Sequence, residues 1–525
     1  MDPLRKINGF TSQYEDCFLK KSYLRCINAL EIKFQKLPYM KKLFTSVWLL
    51  CVCLTVAAQQ REIPEPTLDP ESCTSIMVGK KASTDGSVIT SHTCDGGYRT
   101  WMDIVPAATY PNDTIQTIYT GRMHTEYAEG TRGMIAKGTI PEAKTTFQFL
   151  NTAYPCLNEK QLGIGETTIT GRKELVNKNG MFMIEELERI ALQRCTTARE
   201  AIQLMGQLIK QYGYGDWGEC LTIADPKDKA NCMASDNVFE AAKRLGYWDG
   251  KEPFCFWKAY GGGRKAYSVR ELFILNKLAP SLGLTDELEE LPFTVKPEKP
   301  VAATDVMALL TETYEGTEQD MTQNLKVTRK NKETNQMETV VSPVANPWMT
   351  TDMVDMLNGV KQGTVNRLRL VAVPQCSYST VIQLRDWLPD AIGGVAWVAF
   401  DNPGESPRVP IFAGTKDLPA CFKICGQHRY REDAAIWTYR RANKLATVRW
   451  GVTRNAIESA RDYFVEKGQT ELPFVENRYK TLVEQKGEEA AKAYLTDYTS
   501  DFAGATLLRW KEMGDDFWYQ FRRGF

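Results

Sequence analysis

A chain of 525 residues, 43% hydrophobic and 25% charged with ordinary glycine and proline usage, has the composition of a globular protein, not of a disordered or fibrous one. Lys plus Arg and Asp plus Glu are both 65, so no basic field exists to hold a phosphate backbone or an anionic membrane, and nucleic acid is not an expected partner. His92, His124 and His428 are the only histidines, which removes histidine-rich metal sites, and neither an HExxH helix nor a CxxC pair is present.

The first readable element is "MKKLFTSVWLLCVCLTVAAQQ", with two lysines, an apolar run over residues 43–56 and small residues at its end. These are the regions of a secretory signal peptide, read here as residues 40–58 with cleavage near Ala58. The run is short for a membrane span, so no stable membrane insertion is expected after cleavage; an uncleaved anchor is the other reading. Because a signal belongs at the start of a protein, Met40 is taken as the initiator and residues 1–39 as a spurious extension. Export to a periplasmic or extracellular space would let several of Cys94, Cys156, Cys195, Cys220, Cys232, Cys255, Cys376, Cys421 and Cys425 pair. The polar, proline-rich residues 59–72 read as a linker or propeptide.

The folded part starts at Cys73. "CTSIMVGKKASTDGSVITSHTCD" predicts a hairpin turning at Asp85-Gly86, with Cys73 opening its first strand. Two more strands are expected on either side of a turn at Asn158, Glu159 and Lys160. Ile184, Leu187, Ile190 and Ala191, then Ala201, Ile202, Met205 and Leu208, mark two helices capped between them by Thr196 or Thr197, their charged residues forming a solvated face. "YGDWGECLTIADP" returns to strand, and a helix capped by Ser235 or Asp236 with Glu240 follows. Strands are expected over 368–373 and 395–400, and a charged helical tail from about Asn455. Strands and helices come in blocks, which favours antiparallel sheets covered by helices over a doubly wound fold.

Were everything ahead of Cys73 removed, that residue would carry a thiol and a free α-amine, whose reference pKa is about 7.7–8.0. Such an amine can act as general base for its own side chain, an arrangement that needs no histidine.

"CTSIMVGKKASTDGSVITSHTCD", "LNEKQLGIGETTITGR", "YGDWGECLTIADP", "YEGTEQD" and "RDWLPDAIGGVAWVAF" together resemble the C69 dipeptidases, cysteine-type N-terminal-nucleophile hydrolases related to choloylglycine hydrolases and penicillin V acylases. The resemblance implies an α+β fold, a four-layer αββα sandwich of N-terminal-nucleophile type over residues 73–454, with additional C-terminal helices over 455–525 packed on it. It implies an exported dipeptidase acting on dipeptides, with no metal and no organic cofactor, and leaves a homo-oligomer open. By motif, Cys73 is the nucleophile, Asp95 holds its amine, and Asn158 contributes an oxyanion donor. Asp95 and Asn158 also lie beside expected turns, where local hydrogen bonding is the plainer role. His92 stands where related acylases carry arginine; it tunes the thiol or is a polar strand residue. Glu166 is a candidate partner for the substrate amine.

Two further departures stand out. "ADPKDKANCMASDNVF" joins two motifs directly where relatives run through further strands, and the Ser72-Cys73 bond needs a second cut. The alternatives are another amide hydrolase on this fold, for N-acyl amino acids or bile-salt amides, and a catalytically silent binding homologue.

Overall fold

"VITSHTCD" alternates β-branched and polar residues, and it forms the strand β1 (Val88–Asp95) around which the site is built. All eight of its residues are buried, because both of its faces are covered. The computed structural model describes residues 73–128, 130–169, 171–227, 234–262 and 266–524, all within the unit Asp69–Phe525. The signal peptide and linker readings lie outside these residues, as does Cys232.

Along the chain follow β2 (Asp103–Val105), β3 (Phe149–Asn151), β4 (Leu157–Asn158) and β5 (Gly163–Thr168). Then come the helices α1 (Ile184–Arg194) and α2 (Ala198–Tyr212), β6 (Glu219–Ala224) and α3 (Val269–Leu278). The second half supplies β7 (Cys376–Leu384), β8 (Val395–Phe400), β9 (Val409–Phe412) and the helices α4 (Ala435–Val448), α5 (Trp450–Lys486) and α6 (Glu488–Gln520). Among the described residues no helix is long and apolar enough to cross a membrane.

Two antiparallel sheets result, one ordered β1-β7-β8-β9 and the other β6-β5-β4-β3-β2. They face one another. Thr90 on β1 and Thr222 on β6 share a hydrogen bond of 2.7 Å between their hydroxyls, and a Cβ placed on Gly163 of β5 would lie 3.1 Å from Ile382 of β7. Helices α1 and α2 pack against β3, β4 and β6, while α4 and α6 pack against β8 and β9. The structure is thus mixed α and β with antiparallel sheets and C-terminal helices.

Several expectations are met in place. Thr197 caps α2 in a capping box with Glu200, and β8 occupies the predicted 395–400. Others are corrected. Residues 73–79 make backbone bridges to β1 only at Thr74 and Val78, because the Ser91 hydroxyl takes both the amide and the carbonyl of Ile76 that a ladder would have used. Residues 368–373, buried from Leu370 on, are not a strand; the Ala372 amide bonds to the Glu312 carbonyl instead of a sheet neighbour. The helix Val238–Arg244 begins after Asn237 with no side-chain cap, and the C-terminal helices begin at Ala435, well before Asn455. The charged face of α1 is buried: Glu185, Glu186 and Glu188 are each 0% exposed, since α1 lies between sheet and neighbouring segments. Of the cysteines expected to pair in an exported chain, Cys94, Cys156, Cys195, Cys220, Cys255, Cys376, Cys421 and Cys425 are free thiols among the described residues.

Candidate active site

The bridge between Thr74 and Thr93 sets Cys73 beside the C-terminal end of β1, where the ladder to β7 is irregular between Cys94 and Asp95. Arg270 of α3 fixes this segment from the other side, donating to the Cys73 carbonyl at 3.0 Å and to the Thr74 hydroxyl at 2.7 Å. A relay runs from the Thr74 amide to the Thr93 hydroxyl (2.9 Å) and on to Oδ2 of Asp95 (2.8 Å). Oδ2 also accepts from Arg369 at 2.8 Å, whereas Oδ1 is buried with no partner. The backbone thus presents one orphaned carboxylate oxygen near the start of the described chain.

His92 lies on β1 and Glu166 on β5, so the facing of the two sheets brings them together. A ring nitrogen of His92, the Cys73 sulfur and a Glu166 carboxylate oxygen all lie within 4.8 Å of one another, and all three residues are buried. The His92 Nδ1–H donates to the Glu166 carbonyl at 2.6 Å, and the ring sits between Tyr154 and Tyr378. A carbonyl can only accept, so Nδ1 carries the proton and Nε2 keeps a lone pair, buried and without a partner. Burial lowers the His92 pKa to about 4, which leaves the imidazole neutral at pH 7.

The thiol is held protonated. Burial pushes Cys73 well above its ordinary value, and the charges of Glu166, Asp95 and Glu219 push the same way; a hydrogen bond from the Asp95 backbone opposes them. Glu166 on β5 and Glu219 on β6 interact with one another, and burial raises both carboxyls above the usual range. Two carboxyls in contact titrate as one pair, here sharing a proton near neutrality. Glu188 on α1 is raised as well, by burial and by Glu185 and Glu219.

Cys73, His92, Asp95 and Glu166 therefore converge. Asn158 does something else: its two amide hydrogens go to the carbonyls of Leu192 and Cys195, at 2.8 and 2.9 Å, and its Oδ1 accepts from the amides of Lys160 and Leu162. It ties the β4–β5 turn to the end of α1, and no amide hydrogen remains for an oxyanion. Arg270, Arg369 and Glu219 were missed by sequence reasoning. Glu219 stands inside "YGDWGECLTIADP" but nothing in its spacing marks it, and the two arginines reach the site only through the fold.

A mixed α and β chain with a thiol, an imidazole and carboxylates gathered between facing sheets has a cysteine-centred site suited to acyl chemistry. The sequence matches peptidase family C69 over residues 72–228 and 221–462, two segments that overlap at 221–228. Similar proteins include a "Probable dipeptidase" of Latilactobacillus sakei, 22% identical over 74% of this chain and 84% of its own. A "Probable dipeptidase" of Salmonella dublin is 23% identical over 66% of this chain and 82% of its own, and "Probable dipeptidase B" of Lactococcus lactis is 21% identical over 67% and 76%. The chain belongs to peptidase family C69 and is a peptide hydrolase.

Buried carboxyls give the fold a measurable pH dependence. Glu405 is pushed to about 8 by burial, and one of its oxygens has no partner. Between roughly pH 5 and 8 the folded chain keeps a proton there that the unfolded chain has lost, so stability falls as pH rises, by about 1.4 kcal/mol per unit for each such group. Urea unfolding at pH 5.5 and 7.5 should show a smaller drop for Glu405→Gln than for the parent; equal drops would contradict the assignment.

Proposed function

We propose that this chain is an exported dipeptidase in which Cys73, freed by cleavage of the Ser72-Cys73 bond, is the nucleophile. The observation that carries the reading is the orphaned Oδ1 of Asp95, buried at the end of the strand to which the Cys73 segment is bridged. A buried carboxylate oxygen without a donor is costly, and an α-ammonium on Cys73 would supply one. The facing sheets with helices on their outer sides are read as the four-layer αββα sandwich of N-terminal-nucleophile hydrolases.

In this mechanism the α-amine of Cys73 takes the thiol proton, and the thiolate adds to the peptide carbonyl. The ammonium then protonates the leaving amine, and the acyl-enzyme is released by water with the same amine as base. Asp95 orients the amine, and Arg369 and Thr93 orient Asp95. The Glu166–Glu219 pair receives the free ammonium of the dipeptide, which settles the proton they share. His92, neutral, packs beside the thiol.

The test is to express the chain from Met40 in an exporting host, read its N-terminus and intact mass, and assay dipeptides beside N-acyl amino acids. The reading expects a chain beginning at Cys73 and turnover of dipeptides. A chain beginning near Gln59, or turnover confined to N-acyl amino acids, would overturn it.

A further inference from the structure

We propose that Cys73, His92 and Glu166 form a binding site for a thiophilic divalent cation of the Zn2+ type, whose occupancy shuts the hydrolytic site. The donors are a thiol sulfur, an imidazole nitrogen and a carboxylate oxygen, all within 4.8 Å of one another. Sulfur and nitrogen with one oxygen suit Zn2+, whereas Mg2+ and Ca2+ ask for oxygen alone. Bonds to Zn2+ of about 2.0–2.3 Å put tetrahedral donors about 3.5 Å apart. No pair therefore has to close by more than about 1.3 Å, within reach of side-chain rotation, and a water completes the fourth position.

Independent observations favour an occupant. Nε2 of His92 and Oε2 of Glu166 are both buried without hydrogen-bond partners. The Nδ1 nitrogen lies 3.9 Å from Oε2 of Glu166 and donates to the Glu166 carbonyl, a contact that fixes the ring and its tautomer and leaves Nε2 as the nitrogen with a free lone pair. Asp95 and Glu219 add negative charge around the sulfur. Binding is a proton-for-metal exchange: the Cys73 S–H bond breaks, the S–Zn bond forms, and the thiol proton leaves to solvent. The sulfur lone pair is then held by the metal, so attack on a carbonyl stops.

The spacing rules that read metal motifs could not find this set, because its ligands come from three separate segments.

The test uses the full chain with Co2+ as a spectroscopic probe and Zn2+ in equilibrium dialysis. One ion per chain is expected, with a thiolate-to-Co2+ charge-transfer band in the near ultraviolet that disappears in Cys73→Ala. Glu166→Gln and His92→Gln should each weaken Zn2+ binding at least 10-fold while the unfolding transition is retained. In the parent protein, Zn2+ should also protect the Cys73-containing peptide from alkylation, as read by mass spectrometry, which needs no variant to fold. Binding of Zn2+ unchanged in Cys73→Ala, or alkylation of Cys73 unaffected by Zn2+, would overturn the proposal whatever the outcome for dipeptide turnover.

Discussion

Cys73→Ala is expected to lower kcat for dipeptide hydrolysis by at least ~10³-fold, the scale on which removal of a covalent nucleophile acts. The substitution removes one buried sulfur from a residue 2% exposed, so the structural cost is about 1 kcal/mol and the unfolding midpoint should move little. A large loss of rate with a small loss of stability is the signature of chemistry at that sulfur. Cys421→Ala serves as the control, because Cys421 lies in the short turn Ala420–Lys423 and takes no part in the cluster. If Cys73→Ala kept activity within 10-fold of the parent, the nucleophile would have to be sought elsewhere.

Gly165→Ala should be among the most damaging single-methyl additions in the protein. A Cβ there would lie 2.4 Å from the Ser91 carbonyl oxygen and 2.6 Å from the Thr222 hydroxyl. The first of these is backbone of β1, so no rotamer change relieves it, and the two sheets must move apart. Overpacking of this kind costs about 3 kcal/mol. Because His92 sits next to Ser91 on β1 and Glu166 next to Gly165 on β5, the same displacement separates the site residues, and kcat/KM should fall by more than ~10-fold. Gly163→Ala is the comparison: its nearest neighbours are methyl groups of Ile382, Leu384 and Thr90 at 3.1–3.3 Å, which can give way. Urea midpoints and kcat/KM for both variants check the ordering; a Gly163 variant worse than the Gly165 variant would contradict this account of the sheet contact.

Sequence reasoning reached some site residues and not others for identifiable causes. Cys73, Asp95, His92 and Glu166 lie in segments whose pattern is distinctive, and the fold brings them together. Asn158 lies in an equally distinctive segment, yet its amide is engaged by the carbonyls of Leu192 and Cys195. Motif position located the residue, but which groups its amide meets depends on how α1 ends. Arg270 and Arg369 carry no local signal, since an arginine on a helix or in an extended segment reads as a solvated charge until its partner is known.

The sequence by itself determined the family, the strands with strong β-branched alternation such as β1 and β8, and a helix cap at Thr196 or Thr197. These depend on residues within one or two turns of each other, where local sterics and hydrogen bonding decide. Tertiary structure alone decided which charges are buried. Glu185 and Glu188 have the helical spacing of a wet face, but they lie under a sheet, and there burial raises their pKa values. It also decided that a thiol at residue 73, an imidazole at 92 and a carboxylate at 166 share one site. That proximity follows from two sheets packing face to face around Gly163 and Gly165, and the free energy of such packing belongs to surfaces that meet only when the chain is folded.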